Sequence, residues 1–230
     1  MFSPTPLETE ALLLSLKVAF WSVLITLPLG LLTAWLLARK KFYGHALLNG
    51  VVHLPLVLPP VVIGFFLLAM LGRQGPIGAF LLDTFGITIA FTWQGAAIAS
   101  AIMAFPLMVR AIRLSMESVD LGLEDAARTL GASPFRVFYS ITLPLISPGI
   151  LAGVVLSFAR SLGEFGATIT FVSNIPGETR TLPLAIFSLV QTPGGEAGAL
   201  RLVVLSIILA LAALLFSEYL AARAKRRVEG

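Results

Sequence analysis

The chain has 230 residues, of which 57% are hydrophobic and 12% charged, with a mean hydropathy of +0.95 and a net charge of +4. A soluble domain carries about 25% charged residues. Half that density leaves too little polar surface to face water, so the chain belongs in a bilayer, with lipid as its surroundings. The basic balance fits Lys and Arg marking the cytoplasmic side of a membrane, not a nucleic-acid surface. Without cysteine there is no disulfide framework and no thiolate metal site.

The start, "MFSPTPLETEALLLSLKV", is acidic and lacks a basic stretch ahead of its apolar run. It predicts no cleaved signal peptide, and residues 1–10 are expected outside the cytoplasm. Crossing the hydrocarbon takes about 20 apolar residues in a helix. Stretches free of Lys, Arg, Asp and Glu run over Val18–Ala38, Phe42–Gly72, Thr84–Val109 and Val137–Ala159, and Leu202–Ala222 is broken only by Glu218. They predict spans at about 12–38, 47–71, 89–111, 137–160 and 200–221, and a basic tail at 223–230. The fold class expected is an all-α membrane protein of about five transmembrane helices. Between the last two spans, "NIPGETR" interrupts 165–191, and the piece "LAIFSLVQT" is too short to cross. An interfacial or re-entrant segment on the outer face is expected there.

Five spans put Arg39, Lys40 and Lys41, then Arg110, Arg113, Arg128 and Arg136, then Arg223, Lys225, Arg226 and Arg227 on one side. That side is read as cytoplasmic, with the N-terminus outside and the C-terminus inside. The second span carries Pro55, Pro59 and Pro60 beside His53, and Pro144 and Pro148 open the fourth. Proline frees carbonyls that lipid cannot satisfy. Such kinks either bend helices for packing or line a water-filled path, and three prolines within six residues favour the path. His53 on its own reads better as a satisfied packing histidine.

The polar stretch Ile112–Val137 predicts one short helix over about 121–131. Asp120 caps it, Glu124 and Asp125 sit in its first turns, Gly131 suits a left-handed end, and Ser133–Pro134 starts the next helix. Ala126 and Ala127 keep one face small. A short rigid helix of this kind is either a solvated connector or a piece that docks into a partner's groove.

"DAARTLGASPFRVFYSITLP" resembles the EAA loop of ABC-importer membrane subunits: EAA, three residues, Gly, nine residues, Ile-x-Leu-Pro. The matching positions are Asp125, Ala126, Ala127, Gly131, Ile141, Leu143 and Pro144. Asp125 departs from the family's Glu, with Glu124 just before it. The resemblance implies a type I ABC importer transmembrane fold and a cytoplasmic coupling helix, carried by Asp120, Glu124, Asp125, Ala126, Ala127, Gly131 and Pro134, that sits in a cleft of a separate ATPase subunit. The chain has no G-x-x-x-x-G-K-[ST] loop, so ATP and Mg would be bound by that partner, and no catalytic residue or cofactor is expected here.

Arg160 and Glu164 are four apart, on one helix face near the outer end of the fourth span. They either tie helices together or line and gate a path. Gly163 and Gly166 allow close helix contact. Ser161, Thr168, Thr170, Ser173 and Asn174 offer donors without fixed charge, suited to a dianion that must be released, although ordinary bonding to helix carbonyls serves them as well. Path or gate candidates are therefore His53, Pro55, Pro59, Pro60, Arg160, Ser161, Glu164, Gly166, Thr168 and Thr170.

"HLPLVLPPVV", "RTLGASPFRVF" and "FARSLGEFGATITFVSNIPGETRTLPL" resemble the membrane subunits of molybdate importers over nearly the whole chain. That family implies a homodimer in membrane lipid, two ATPase subunits and an extracytoplasmic molybdate-binding protein. Sulfate and thiosulfate importers share the "GE[FY]G" neighbourhood, and no residue separates molybdate from tungstate. A stand-alone secondary transporter would need internal repeats, of which none is visible. An intramembrane enzyme would need partners for His53, and none is placed by sequence.

Overall fold

The structure, a computed structural model, describes residues 5–229; at Leu214 and beyond Leu215 it describes the backbone alone. Residues 1–4, Gly230 and the side chains of Glu218, Arg223, Lys225, Arg226 and Arg227 lie outside what is described.

Helix α1 spans Pro6–Arg39. Thr5 and Glu8 form a reciprocal capping box and Pro6 fills the first helical position, where its missing N–H costs nothing. The helix thus begins inside the segment expected to precede the first span. Its 34 residues are about 50 Å long, enough for a bilayer with its headgroups.

The second predicted span is broken. Helices α2 (His45–Val57) and α3 (Pro60–Leu71) meet at 112°. Leu58 and Pro59 each precede a proline, which disfavours the helical region, and both take extended ψ values of 143° and 132°. A short helix unseen in the sequence, α4 (Pro76–Phe85), follows and ends at Gly86 with φ 68°.

Helix α5 (Trp93–Glu117) starts at the Thr92 cap, whose hydroxyl accepts from the Gly95 N–H at 3.2 Å. It begins four residues later than predicted and runs six further. Arg113 does not stop it, because Glu117 and Asn49 accept from its guanidinium at 2.7 and 2.9 Å. The polar connection therefore begins at Ser118, not at Ile112. Within it α6 spans Leu121–Thr129, matching the predicted short helix.

The next span is continuous over Pro134–Leu162 but changes pitch. A first turn, α7 (Pro134–Val137), leads into a π-helical segment, Phe138–Thr142, and then α8 (Leu143–Leu162). Pro144 removes the N–H that the Ser140 carbonyl would accept. The ladder widens there, and the Leu143 N–H reaches the Phe138 carbonyl. Gly163 caps α8 and is exposed; it ends the helix, and among the described residues no other helix crosses closely there.

Two short helices follow, α9 (Gly166–Val172) and α10 (Leu182–Val190), each too short to cross. The last helix, α11, spans Glu196–Glu229. Four continuous runs, Pro6–Arg39, Trp93–Glu117, Pro134–Leu162 and Glu196–Ala213, are long and apolar enough to cross a membrane, and the bent α2–α3 pair makes a fifth if it counts as one span.

One core holds α1, α5 and α8 together near α6, through Ala34, Leu37, Met108, Ile112, Met116 and Ile146. A second packs α3 and α9 against α5 through Leu67, Ala96, Ala167 and Phe171. At the end remote from α6, Arg201 of α11 meets Glu8 of α1 at 2.7 Å, and the Leu182 N–H donates to Ser15 Oγ at 2.7 Å.

Candidate functional site

The first site is α6 and its surroundings. Asp120 Oδ1 accepts from the Gly122 N–H at 2.8 Å, so the cap predicted from sequence is formed. Gly131 has φ +85°, and the Ala132 N–H returns to the Ala127 carbonyl at 3.0 Å, the closure of a left-handed helix end. Ser133 accepts from the Arg136 N–H and Pro134 occupies the first position of α7. Ala126 is exposed and Ala127 half-buried, so the small face is open. Leu121, Leu123 and Leu130 also stand exposed around it.

The two acids of α6 have opposite environments. Asp125, the position matched to the motif's Glu, is 69% exposed and, among the described residues, pairs only with Arg128, at 2.6 Å. Glu124 is 7% exposed. Its carboxylate accepts from Arg39 Nη2 at 2.8 Å, Thr142 Oγ1 at 2.9 Å and Arg128 Nη2 at 3.2 Å. Arg39 ends α1 and Thr142 closes the π segment. Sequence reasoning missed Arg39 and Thr142 as partners; the buried position of Glu124 depends on residues 85 and 18 positions away.

The second site is the break between α8 and α9. Helix α8 ends at Leu162, so Arg160 and Glu164 do not share a helix face as predicted, yet they meet across the break at 2.6 Å. Glu164 is 1% exposed and its other oxygen accepts from the Ala167 N–H at 2.8 Å. Arg160 is 28% exposed, and Glu164 is its one ion-pair partner among the described residues. Ser161 bonds Ser22 Oγ at 2.8 Å. Ser22 lies 17 residues before Arg39, hence about 25 Å along α1. Measured from Arg39, this level lies toward the far side of a hydrocarbon core about 30 Å thick, and Arg160 stands two residues before the end of α8. A charge there needs a partner or water.

The remaining candidates divide. Gly166 lies against Pro60, where a Cβ would come within 2.8 Å of the proline ring, and a Cβ at Gly64 would come within 2.6 Å of the Ala167 carbonyl. Pro59 and Pro60 therefore belong to the same junction as Glu164. Pro55 and His53 lie on α2, before the bend, and His53 Nδ1 contacts the Asn49 carbonyl at 2.8 Å. Thr168 donates to the Phe165 carbonyl at 2.9 Å and Thr170 to the Gly166 carbonyl at 2.9 Å. Asn174 donates to Ser188 and accepts from Arg180. Those hydroxyl and amide donors are engaged within the fold. The cleft of about 590 Å³ beside the break is lined by Leu162, Phe165, Ile186, Phe187 and other mostly apolar residues, and offers an anion little.

Comparison with known proteins gives this arrangement its place. The family described as binding-protein-dependent transport system inner membrane component matches residues 26–226. The molybdenum transport system permease protein ModB of Escherichia coli (strain K12) is 64% identical over 96% of both chains, and that of Haemophilus influenzae is 60% identical over 96% of this chain and 97% of its own. The sulfate transport system permease protein CysT of Salmonella typhimurium is 38% identical over 98% of this chain and 80% of its own. Among solved structures, a bacterial alginate ABC transporter complexed with its periplasmic protein has a chain that superposes with a TM-score of 0.76 at 18% identity, over 95% of this chain and 80% of that one. The inward-facing MetNI methionine ABC transporter gives 0.67 at 16%, over 94% of both chains. These likenesses establish the fold as that of type I ABC importer permeases. With its four or five candidate spans, the protruding helix and the Asp-Ala-Ala…Gly…Ile-x-Leu-Pro run, the chain belongs to the inner membrane components of binding-protein-dependent transport systems.

Proposed function

We propose that the chain is the membrane-spanning subunit of an ATP-driven importer that passes molybdate, a tetrahedral oxyanion, into the cytoplasm. The observation that carries this reading is the 64% identity, over 96% of both chains, to a molybdenum transport permease, against 38% to a sulfate one. The chain itself is non-catalytic. Two copies would enclose the path, two ABC ATPase subunits would bind ATP and Mg, and an extracytoplasmic binding protein would deliver the anion. The α6 end of the bundle faces the cytoplasm in this reading, and the Glu8–Arg201 end faces out. Lys40, Lys41, Arg110 and Arg136 near the α6 end support that orientation.

Within the path, Arg160 is the residue proposed to meet the anion. It holds a cation in the last turn of α8, balanced on one side by Glu164 and partly open on the other. A single balanced cation attracts a dianion without trapping it. The test is reconstitution of the chain with its ATPase and binding protein in proteoliposomes. ATP-dependent uptake of molybdate over sulfate is expected. A complex that moves sulfate at least as well, or concentrates molybdate on an ion gradient without ATP, contradicts the reading. Tungstate, equal in charge and close in size, is expected to be carried too.

A further inference from the structure

We infer that Glu124 is a positioning residue that locks the coupling helix to the first and fourth spans at once, so that movement of α6 is delivered to the bundle without slack. The inference rests on α6 being the coupling helix. Three observations carry it. The Glu124 carboxylate is buried although it belongs to an otherwise exposed helix. It gathers three donors from three places: Arg39 at the end of α1, Thr142 in the π segment before α8, and Arg128 one turn along α6. Its neighbour Asp125 points outward and is free to face a partner subunit.

Beyond these contacts lies a close-packed block. Met108, Ile112 and Met116 of α5 fill the space between α1 and α8 with no exposed surface, and such interiors transmit displacement with little compression. The π segment is the soft place in the connection, because its hydrogen-bond ladder is shifted at Pro144. Thr142 bonds Glu124 at that point. Without the lock, α6 would swing on the π segment while the spans stayed in place, and hydrolysis would continue without transport.

The experiment uses the complete complex, with ATPase and binding protein, in proteoliposomes. It reads co-purification of the ATPase, the hydrolysis rate and molybdate moved per ATP. Glu124→Gln, Arg39→Gln and the double variant are compared with Thr142→Val, which removes one hydroxyl and keeps the ion pair. The expected result is retained assembly and hydrolysis with about tenfold less molybdate per ATP in Glu124→Gln, within the range for residues that carry coupling. The double variant should be no worse than the more affected single one, as for groups in one network. A wild-type ratio in Glu124→Gln, or single losses that multiply in the double variant, would overturn the lock. Should Glu124→Gln fail to fold, Thr142→Val decides: a lowered ratio in an assembled complex supports the lock, and an unchanged ratio overturns it. A wild-type chain with which no ATPase co-purifies would overturn the coupling reading beneath it, and the lock with it.

Discussion

Arg160 and Gly131 are single residues whose replacement separates two kinds of effect. Arg160→Gln keeps a polar, if shorter, side chain and removes the charge that Glu164 balances. Loss of a charge-assisted contact is worth about 1.5–3 kcal/mol, so molybdate uptake should fall by roughly ten- to a hundredfold while the ATPase still co-purifies. Unchanged uptake would make the pair a helix tie. Gly131 has φ +85° with nothing within 4 Å of its missing Cβ, so the demand there is on the backbone alone. A β-branched residue in that conformation costs about 1–2 kcal/mol, whereas Asn enters it readily. Gly131→Val should therefore lower molybdate moved per ATP, and Gly131→Asn should keep most of it; equal behaviour of the two would contradict the turn. Asp120, Gly131 and Ser133 were legible in the sequence because caps are made by residues two or three apart. Glu124 was legible only as an acid near a helix start. Its burial is set by Arg39, which no local pattern connects to it.

Elements were legible to the extent that their boundaries are written locally. The three prolines marked the second span as irregular, but the 112° bend depends on where α3 finds a surface to pack against. That surface is α9, reached through Gly64. A Cβ at Gly64 would sit 2.6 Å from the Ala167 carbonyl, and a backbone atom cannot turn aside. Gly64→Ala should destabilise the protein by about 1–3 kcal/mol, the usual cost of overpacking, seen as a lower melting temperature in detergent; an unchanged melting temperature would mean that α3 and α9 do not meet as described. Helix α4 was missed because ten residues carry too few turns to stand out from a loop. The end of α5 was missed because a charge-free run was taken as the measure of a span, while Arg113 continues the helix with its charge satisfied by Glu117 and Asn49. The Arg160–Glu164 spacing was right for contact but for the wrong reason, since the helix ends between them and the pair closes the break.

The whole molecule is a helix bundle with four continuous candidate spans, five with the bent pair counted as one, and run length against bilayer thickness made these legible from composition. What composition cannot place is the partner, because the surface proposed to receive it is made only when α6 is folded beneath the bundle with Ala126 outward and Leu121, Leu123 and Leu130 exposed. The central claim is that this helix takes its drive from a separate ATPase. The chain has no cysteine, so Ala126→Cys introduces a unique thiol. In the assembled complex, a short thiol-to-amine cross-linker at that position should join the chain to the ATPase subunit, in a yield that changes when ATP is added. No cross-link in a complex competent for transport, or modification of the thiol by a membrane-impermeant reagent from outside intact cells, would contradict the account.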